Sequence, residues 1–201
     1  MKKERQMQKA IFFDRDGVVN INTNYVYKIS DFRFMEGFLE FFSACKKSGF
    51  LALVVTNQSG INRGFYSELD FKILSDFMQD ELRKKTGFCF DKIYHCPHSP
   101  SENCICRKPK IGMIQRAMSD FSIDLKRSFL IGDNESDIEC AINAGIGTQI
   151  LLTQGKKAQN ADSTLESTPD STPESTPDST KNSKATYVID DFQKAHSIIA
   201  I

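Results

Sequence analysis

The sequence predicts an α/β fold with a doubly wound parallel sheet, and three observations support this prediction. Short apolar runs recur along the chain, and they are continuous rather than alternating, as in strands buried on both faces. Segments with helical periodicity separate these runs, as crossover helices separate parallel strands. Polar residues follow several runs directly, at the edge where open α/β sheets bind their ligands.

The predicted elements alternate along the whole chain. A length of 201 residues suits one domain, 1–201, whose core is rich in phenylalanine because the chain has 16 Phe and no Trp. The strands are predicted at 10–14, 51–56, 92–95, 128–132, 147–152 and 185–189, and the helices at 37–48, 67–86, 110–121, 135–144 and 191–199.

Charge and hydropathy restrict the partners and the location of the protein. The 26 basic residues balance the 26 acidic residues, which gives no electrostatic reason to expect nucleic acid or an anionic membrane as a partner. No apolar stretch approaches the length of a transmembrane helix. The charged start leads directly into the first strand and not into a signal-peptide apolar region. We therefore expect a cytoplasmic monomer.

The first strand ends in two closely spaced carboxylates. The run Ala10-Ile11-Phe12-Phe13 is followed by Asp14-Arg15-Asp16-Gly17-Val18, and Gly17 lets the chain turn so that both carboxylates converge on one site. Clustered carboxylates are costly unless a cation joins them, and the cation they prefer is hard, of the Mg²⁺ kind. A polar loop would explain a lone Asp-x-Asp, but this motif is accompanied by others.

Three later segments carry related chemistry. The strand at 51–55 is followed by Thr-Asn-Gln-Ser-Gly at 56–60, whose hydroxyl, amide and backbone N–H groups suit phosphate oxygens. Arg-Lys-Pro-Lys at 107–110 concentrates positive charge beside a proline. The strand at 128–132 is followed by Asp-Asn-Glu-Ser-Asp at 133–137. A turn, a solvated basic patch and a helix N-cap would explain each segment singly, but their order favours one shared site.

Four potential metal ligands follow the third strand with the spacing C-x-H-x₅-C-x-C. A reducing cytosol disfavours disulfides between these cysteines. Three thiolates and one imidazole from one loop instead make a closed tetrahedral ligand set for a structural Zn²⁺. The zinc would fold a polar loop and anchor the basic pair Arg107-Lys108 over the site. The predicted ligands are Cys96, His98, Cys104 and Cys106, whereas His95 is predicted to pack or to support the site, and Cys45, Cys89 and Cys140 to be small core residues.

Residues 156–184 differ in composition from the rest of the chain. Repeats of Ser-Thr-Pro-Asp or Ser-Thr-Pro-Glu contain no aromatic or β-branched aliphatic residue and cannot bury a core. We predict a disordered insert between two strands of the sheet, which costs little because closure entropy grows slowly with loop length. It is assigned no catalytic role.

The motif order D-x-D-G, strand-Thr-Asn, Lys-Pro, strand-G-D-x-x-x-D resembles that of the haloacid dehalogenase superfamily of phosphotransferases over about residues 10–152. This resemblance implies a Rossmann-like fold. In the superfamily the insert after the first strand controls access to the site, and residues 21–34 are too short for a cap domain. We therefore expect an essentially capless enzyme with an open site.

The resemblance implies a role for each carboxylate. Asp14 is expected to attack phosphorus and form an aspartyl-phosphate. Asp16 is expected to protonate the leaving oxygen and then to activate the water that hydrolyses the intermediate. Mg²⁺ is expected on Asp14, Asp133 and the backbone carbonyl of Asp16, with Asp137 orienting the site. Lys108 would neutralise charge on the nucleophile and the phosphate.

The zinc loop narrows the resemblance to two families, the D-glycero-D-manno-heptose 1,7-bisphosphate 7-phosphatases and the histidinol-phosphate phosphatases. The run VVTNQSGINRG at 54–64 is similar to the heptose family, whereas histidinol-phosphate phosphatases carry Asp-Gly after the Gln. A bisphosphate also needs a second anionic pocket, which Arg107 and Arg63 could supply. The substrate residues implied are Arg15, Asn22, Thr23, Asn24, Tyr25, Thr56, Asn57, Gln58, Ser59, Arg107, Lys108 and Asn134.

The resemblance thus implies a Mg²⁺-dependent phosphatase that removes the 7-phosphate of D-glycero-D-manno-heptose 1,7-bisphosphate, a phosphorylated sugar, in ADP-heptose and lipopolysaccharide precursor synthesis. Many heptose enzymes carry Lys where this chain has Asn134, so one charge near the phosphate is missing. Histidinol-phosphate phosphatase is the first alternative. A non-catalytic scaffold that binds phospho-ligands is the second, and the presence of both Asp14 and Asp16 disfavours it.

Overall fold

The computed structural model describes residues 7–153 and 183–201. The predicted repeat insert at 156–184 lies outside these residues, except for Ser183 and Lys184. The strands are β1 (Ala10–Phe13), β2 (Leu51–Asn57), β3 (Lys92–Cys96), β4 (Phe129–Gly132), β5 (Thr148–Leu152) and β6 (Tyr187–Ile189). The helices are α1 (Phe38–Lys47), α2 (Glu68–Thr86), α3 (Gly112–Asp120), α4 (Glu135–Ala144) and α5 (Phe192–Ile199).

The predicted α/β fold is confirmed. The strands of the described residues form one sheet in the order β3-β2-β1-β4-β5-β6, and every neighbouring pair is parallel. The chain first builds outward from β1 to β3 and then returns to place β4 on the other side of β1. The strand order therefore reverses beside β1, and ligands of open α/β sheets bind at such a point.

Two apolar layers cover the faces of the sheet. Phe13 points into the first layer, where the ring centroids of Phe38, Phe41, Phe42 and Phe90 lie 5.7 to 6.4 Å from its own. Phe12 points to the opposite face because side chains alternate along a strand. The second layer packs α3 and α4 against that face, with Met113, Ile114, Leu130 and Ala141 among its buried residues.

The cysteines outside the predicted zinc loop and His95 have different environments. Cys45 and Cys140 are buried, as predicted. The prediction of Cys89 as a core residue is wrong, because this side chain is partly exposed and its Sγ lies 3.5 Å from Arg83 Nη2. His95 packs against Phe71 at 4.2 Å between ring centroids. Among residues 7–153 and 183–201, no helix combines the length and apolar character needed to cross a membrane.

Candidate active site and metal centres

The site lies at the C-terminal edge of the sheet, where β1, β2 and β4 end. A cavity of about 310 Å³ opens there. It is lined by Asp14, Asp16, Asn22, Asn24, Tyr25, Thr56, Asn57, Gln58, Ser59, Tyr66, Arg107, Lys108, Asp133, Asn134, Ser136 and Asp137. The carboxyl ends of parallel strands meet at one edge of a sheet, so motifs far apart in the sequence converge here.

Most of the predicted site residues line the cavity, together with two residues that the sequence motifs did not indicate. Arg15 and Thr23 do not line it, although both lie within the described range 7–153. Tyr66 and Ser136 line it and were not predicted. The first turn of α4 next to Asp133 could have indicated Ser136. Tyr66 belongs to no motif and had no such signal.

The ammonium of Lys108 is the central charge of the site. Its side chain is buried, and Nζ lies 2.8 Å from Asp14 Oδ1 and 2.6 Å from Asp137 Oδ1. Nζ also donates to the carbonyl of Val55 at 2.7 Å. These contacts account for the three protons of the ammonium. Burial lowers the pKa of Lys108, but the carboxylates of Asp137 and Asp14 raise it above its ordinary value, so the amine stays charged.

The nucleophile predicted at Asp14 lies in a low-dielectric environment. Burial raises the pKa of Asp14 to about 6, with Lys108 opposing this rise and Asp137 adding to it. Lys108 therefore offsets only part of the cost of burying the Asp14 carboxylate in its ionised form. A cation bound to Asp14 would remove this cost.

Asn57 fixes the backbone that carries Lys108. Its Oδ1 accepts a hydrogen bond from the N–H of Lys108 at 3.0 Å, and its Nδ2 donates to the carbonyl of Lys108 at 3.3 Å. This amide was predicted to hold phosphoryl oxygens. In the structure it holds the backbone of Lys108, whose side chain pairs with Asp14, and so positions that side chain.

The carboxylate of Asp16 accepts hydrogen bonds from three side chains. Arg15 donates through Nε and Nη2 at 2.8 to 3.2 Å. Asn20 Nδ2 donates to Oδ1 at 3.1 Å, and Gln58 Nε2 donates to Oδ2 at 2.9 Å. Arg15 is only 1% exposed and also donates to the carbonyl of Val26 at 2.7 Å. Its guanidinium thus supports Asp16 from the protein interior and does not face the cavity.

The carboxylate of Asp133 packs against the backbone of Gly17. Gly17 has a φ of +86°, and a Cβ built there would lie 2.2 Å from Asp133 Oδ2. Only glycine therefore lets this carboxylate approach the loop that carries Asp16. Oxygen atoms of Asp14, Asp133 and Asp137 lie within 4.8 Å of one another. This carboxylate-rich donor set and its glycine cradle fit Mg²⁺.

Asn134 links the cavity to the first turn of α4. Its side chain accepts from the N–H of Ser136 at 3.2 Å, and its own N–H donates to Asp137 Oδ2 at 3.1 Å. This reciprocal capping box satisfies backbone donors at the helix start. The positive end of the helix dipole therefore faces the cavity, where it favours an anion.

The predicted zinc ligands form a compact cluster. The Sγ atoms of Cys96 and Cys106 lie 3.1 Å apart, and Cys104 Sγ lies 3.5 Å from each of these two sulfurs. Nδ1 of His98 lies 3.3 Å from Cys106 Sγ and 3.6 Å from Cys96 Sγ. A tetrahedral zinc would separate two sulfurs by about 3.8 Å and sulfur from nitrogen by about 3.5 Å. The four atoms therefore fit such an ion after a small expansion.

The cysteine cluster is connected directly to the substrate cavity. The N–H of Arg107 donates to Cys104 Sγ at 3.4 Å, and Arg107 Nη1 donates to the carbonyl of His98 at 3.4 Å. Burial alone would raise the pKa of Cys104, but this N–H and the neighbouring thiols lower it to about 7. Arg107 is thus held on the cavity wall by two residues of the cluster.

The predicted second cation, Arg63, does not line the cavity with Arg107, although it lies in the described range 7–153. Arg63 Nη1 donates to Tyr25 Oη at 3.0 Å. The Tyr25 ring meets Phe65 edge to face, with the centroids 4.7 Å apart. Arg63 therefore holds the aromatic wall of the cavity, and Arg107 is the one of the pair that reaches its interior.

Comparison with known proteins connects this geometry to one family. The family described as HAD-hydrolase-like matches residues 105–195. The chain is 48% identical over 146 residues to D-glycero-beta-D-manno-heptose-1,7-bisphosphate 7-phosphatase of Helicobacter pylori, covering 73% of this chain and 84% of that protein. It is 50% identical over 149 residues to D-glycero-alpha-D-manno-heptose-1,7-bisphosphate 7-phosphatase of Campylobacter jejuni, covering 74% and 85%.

A solved structure has a similar architecture. The crystal structure of D,D-heptose 1,7-bisphosphate phosphatase from B. bronchiseptica, complexed with magnesium and phosphate, has a TM-score of 0.76 and 26% sequence identity. It covers 96% of this chain and 98% of that one. The chain therefore belongs to the D-glycero-D-manno-heptose 1,7-bisphosphate 7-phosphatase family of haloacid dehalogenase-like hydrolases.

Proposed function

We propose that the protein removes the 7-phosphate from D-glycero-D-manno-heptose 1,7-bisphosphate and leaves heptose 1-phosphate, a step of ADP-heptose and lipopolysaccharide precursor synthesis. The observation that carries the proposal is the Asp14–Lys108 ion pair in a cavity that Asp16 and Arg107 also line. The relatives named above are heptose-bisphosphate phosphatases of either anomer. The proposal therefore names the sugar bisphosphate without its anomer.

In the first step an oxygen of Asp14 attacks the phosphorus of the 7-phosphate. The bond between phosphorus and the sugar oxygen breaks, its electron pair goes to that oxygen, and Asp16 supplies the proton. Lys108 offsets negative charge on Asp14 and on the phosphoryl oxygens as the aspartyl-phosphate forms. Thr56 and the first turn of α4 hold these oxygens, and Arg107 binds the 1-phosphate at the other end of the substrate.

In the second step water attacks the aspartyl-phosphate. Asp16, now a carboxylate, accepts the proton of this water, the acyl–phosphate bond breaks, and Asp14 is regenerated with release of inorganic phosphate. Asp14, Asp133 and the backbone carbonyl of Asp16 would hold Mg²⁺, whose charge would offset the negative charge that gathers on the phosphoryl group.

We assign Zn²⁺ to the cluster of Cys96, His98, Cys104 and Cys106 as a structural ion. Cys96 ends β3 and the other three residues lie in the loop that follows it, and the four ligand atoms leave no position for a substrate. The ion would hold the loop that carries Arg107 on the cavity wall. We also propose that residues 1–201 form a single catalytic domain that is monomeric and cytoplasmic, with the 156–184 repeat as an incidental insert.

The proposal is tested by phosphate release in the presence of Mg²⁺. Heptose 1,7-bisphosphate and histidinol phosphate are compared as substrates, with Asp14→Asn as the blank. A strong preference for the sugar, lost in the variant, supports both the substrate and the nucleophile. Preference for histidinol phosphate would refute the sugar and leave the chemistry standing. Turnover by Asp14→Asn at the wild-type rate would refute the mechanism.

A further inference from the structure

The acid-base residue Asp16 is connected to a tyrosine that no motif includes. Tyr66 lies between the Thr-Asn segment and α2, and it is 6% exposed. Its hydroxyl donates to Gln58 Oε1 at 2.6 Å, and Gln58 is itself 2% exposed. Gln58 Nε2 then donates to Asp16 Oδ2 at 2.9 Å and to Thr56 Oγ1 at 2.8 Å. A continuous chain of hydrogen bonds, buried at Tyr66 and partly buried at Asp16, thus runs from Tyr66 to the catalytic carboxylate.

The chemistry of the partners fixes the orientation of the Gln58 amide. An ionised carboxylate only accepts hydrogen bonds, so the amide must turn its NH₂ group toward Asp16. Both protons of that group are used, on Asp16 and Thr56, which leaves the side chain no donor for a substrate. The carbonyl oxygen then needs a donor at its buried end, and the Tyr66 hydroxyl supplies it. Burial raises the pKa of Tyr66 to about 12, so this hydroxyl stays protonated.

The surrounding residues hold the Tyr66 ring in place. A Cβ added to Gly60 would lie 2.2 Å from Tyr66 Cε1, so the ring packs directly against the Gly60 backbone. The ring also stacks on Tyr27, with centroids 5.2 Å apart and an interplanar angle of 9°. A ring seated on two sides aims its hydroxyl with little rotational freedom.

We propose that Tyr66 is a positioning residue, which acts through the Gln58 amide on the acid-base residue Asp16. Without the hydroxyl, Gln58 Oε1 loses its buried donor, and the amide can turn its oxygen toward Asp16. Asp16 Oδ2 then loses the N–H donor that orients the carboxyl group, whether that group is ionised or carries the proton for the leaving group. Arg15 and Asn20 still hold Asp16, so the effect is partial. The inference rests on the proposed phosphatase reaction, but it does not depend on which alkyl phosphate is the substrate.

The test exploits the leaving group. An alkoxide needs a proton from Asp16 to depart, whereas p-nitrophenolate departs without one. We expect Tyr66→Phe to lower kcat/KM about tenfold on the sugar bisphosphate and to leave p-nitrophenyl phosphate within about twofold of wild type. Because kcat/KM covers only the steps up to departure of the leaving group, later water activation does not obscure the ratio. Equal losses on both substrates, or no loss, would overturn the proposal.

Two controls separate positioning from general damage. Tyr94→Phe removes a partly buried hydroxyl, which donates to Asp120 at 2.7 Å and lies away from the cavity. This variant should leave the substrate ratio unchanged. In a Gln58→Leu background, adding Tyr66→Phe should change kcat/KM by less than about twofold, because the residue through which it acts is gone. A full additional tenfold loss in that background would refute action through Gln58.

A structural readout complements the kinetics. Exchange of the Gln58 side-chain NH₂ protons, followed by NMR, should be about tenfold faster in Tyr66→Phe than in wild type and unchanged in Tyr94→Phe. Unchanged exchange in Tyr66→Phe would overturn the proposal even without turnover. A wild-type protein that hydrolyses another alkyl phosphate but not the heptose bisphosphate refutes the sugar alone, and the ratio test then proceeds on the hydrolysed ester.

Discussion

Replacing Gly17 with alanine should disable the site without unfolding the protein. The added Cβ would lie 2.2 Å from Asp133 Oδ2 and 2.6 Å from Asp133 Cγ. To reach the ordinary contact distance of 3.4 Å, the carboxylate must move by about 1 Å. A displacement of this size costs about 100-fold in rate where catalytic geometry is tight. We expect kcat/KM to fall about 100-fold and half-saturation by Mg²⁺ to rise about tenfold.

The matched control is Gly87→Ala at the end of α2. Gly87 has a φ of +81°, close to the +86° of Gly17, but no atom lies within 4 Å of an added Cβ. Both variants carry the same left-handed backbone strain of about 1–2 kcal/mol, so both should lose a few degrees of Tm. Only Gly17→Ala displaces a carboxylate. If its Mg²⁺ titration and kcat/KM stay within about threefold of Gly87→Ala, the assignment of Asp133 to the metal site is wrong.

The remaining predictions concern the cluster, the insert and Asn134. Elemental analysis should find one zinc per chain, and Cys106→Ser should lose it and lower Tm by about 10 °C, whereas Cys89→Ser, outside the cluster, should change neither. Deletion of residues 160–183 should leave kcat and KM within about twofold of wild type, because a passive insert contributes only closure entropy; a larger loss would give the repeat a role. Asn134→Lys should lower KM about fivefold, because it adds one positive charge beside the phosphate. It should also lower the free energy of unfolding by about 1 kcal/mol, because the helix cap is lost. An unchanged KM would show that position 134 does not face the phosphate.

The sequence predicts the fold well because its strongest signals are local. Continuous apolar runs mark strands that are covered on both faces, and each predicted strand and helix is present within a few residues of its expected bounds. The convergence of Asp14, Thr56 and Asp133 also follows from topology alone, since carboxyl ends of parallel strands share one edge. No side-chain contact has to be known for either inference.

Side-chain direction is the first property that the motifs do not specify. Arg15 lies between Asp14 and Asp16, and the family resemblance implies that it contacts the substrate. Its guanidinium is instead buried against Asp16 and the carbonyl of Val26. Asn57 follows Thr56, the predicted phosphate ligand, yet its amide clamps the backbone of Lys108, which is 51 residues away in the sequence. Neighbours in a motif thus divide between residues whose side chains face the cavity and residues whose side chains hold those neighbours in place.

Tyr66 shows why such supporting residues escape sequence analysis. Its sequence neighbours Phe65 and Ser67 form an aromatic contact and a helix cap, and neither implies a link to Asp16. The link arises because Gly60 lets the Tyr66 ring pack against its backbone and because both amide protons of Gln58 are donated to Asp16 and Thr56. The buried carbonyl oxygen of Gln58 then needs a hydrogen-bond donor, and the search for that donor identifies Tyr66. In this site, therefore, accounting for buried hydrogen bonds identifies a functional residue that motif order leaves out.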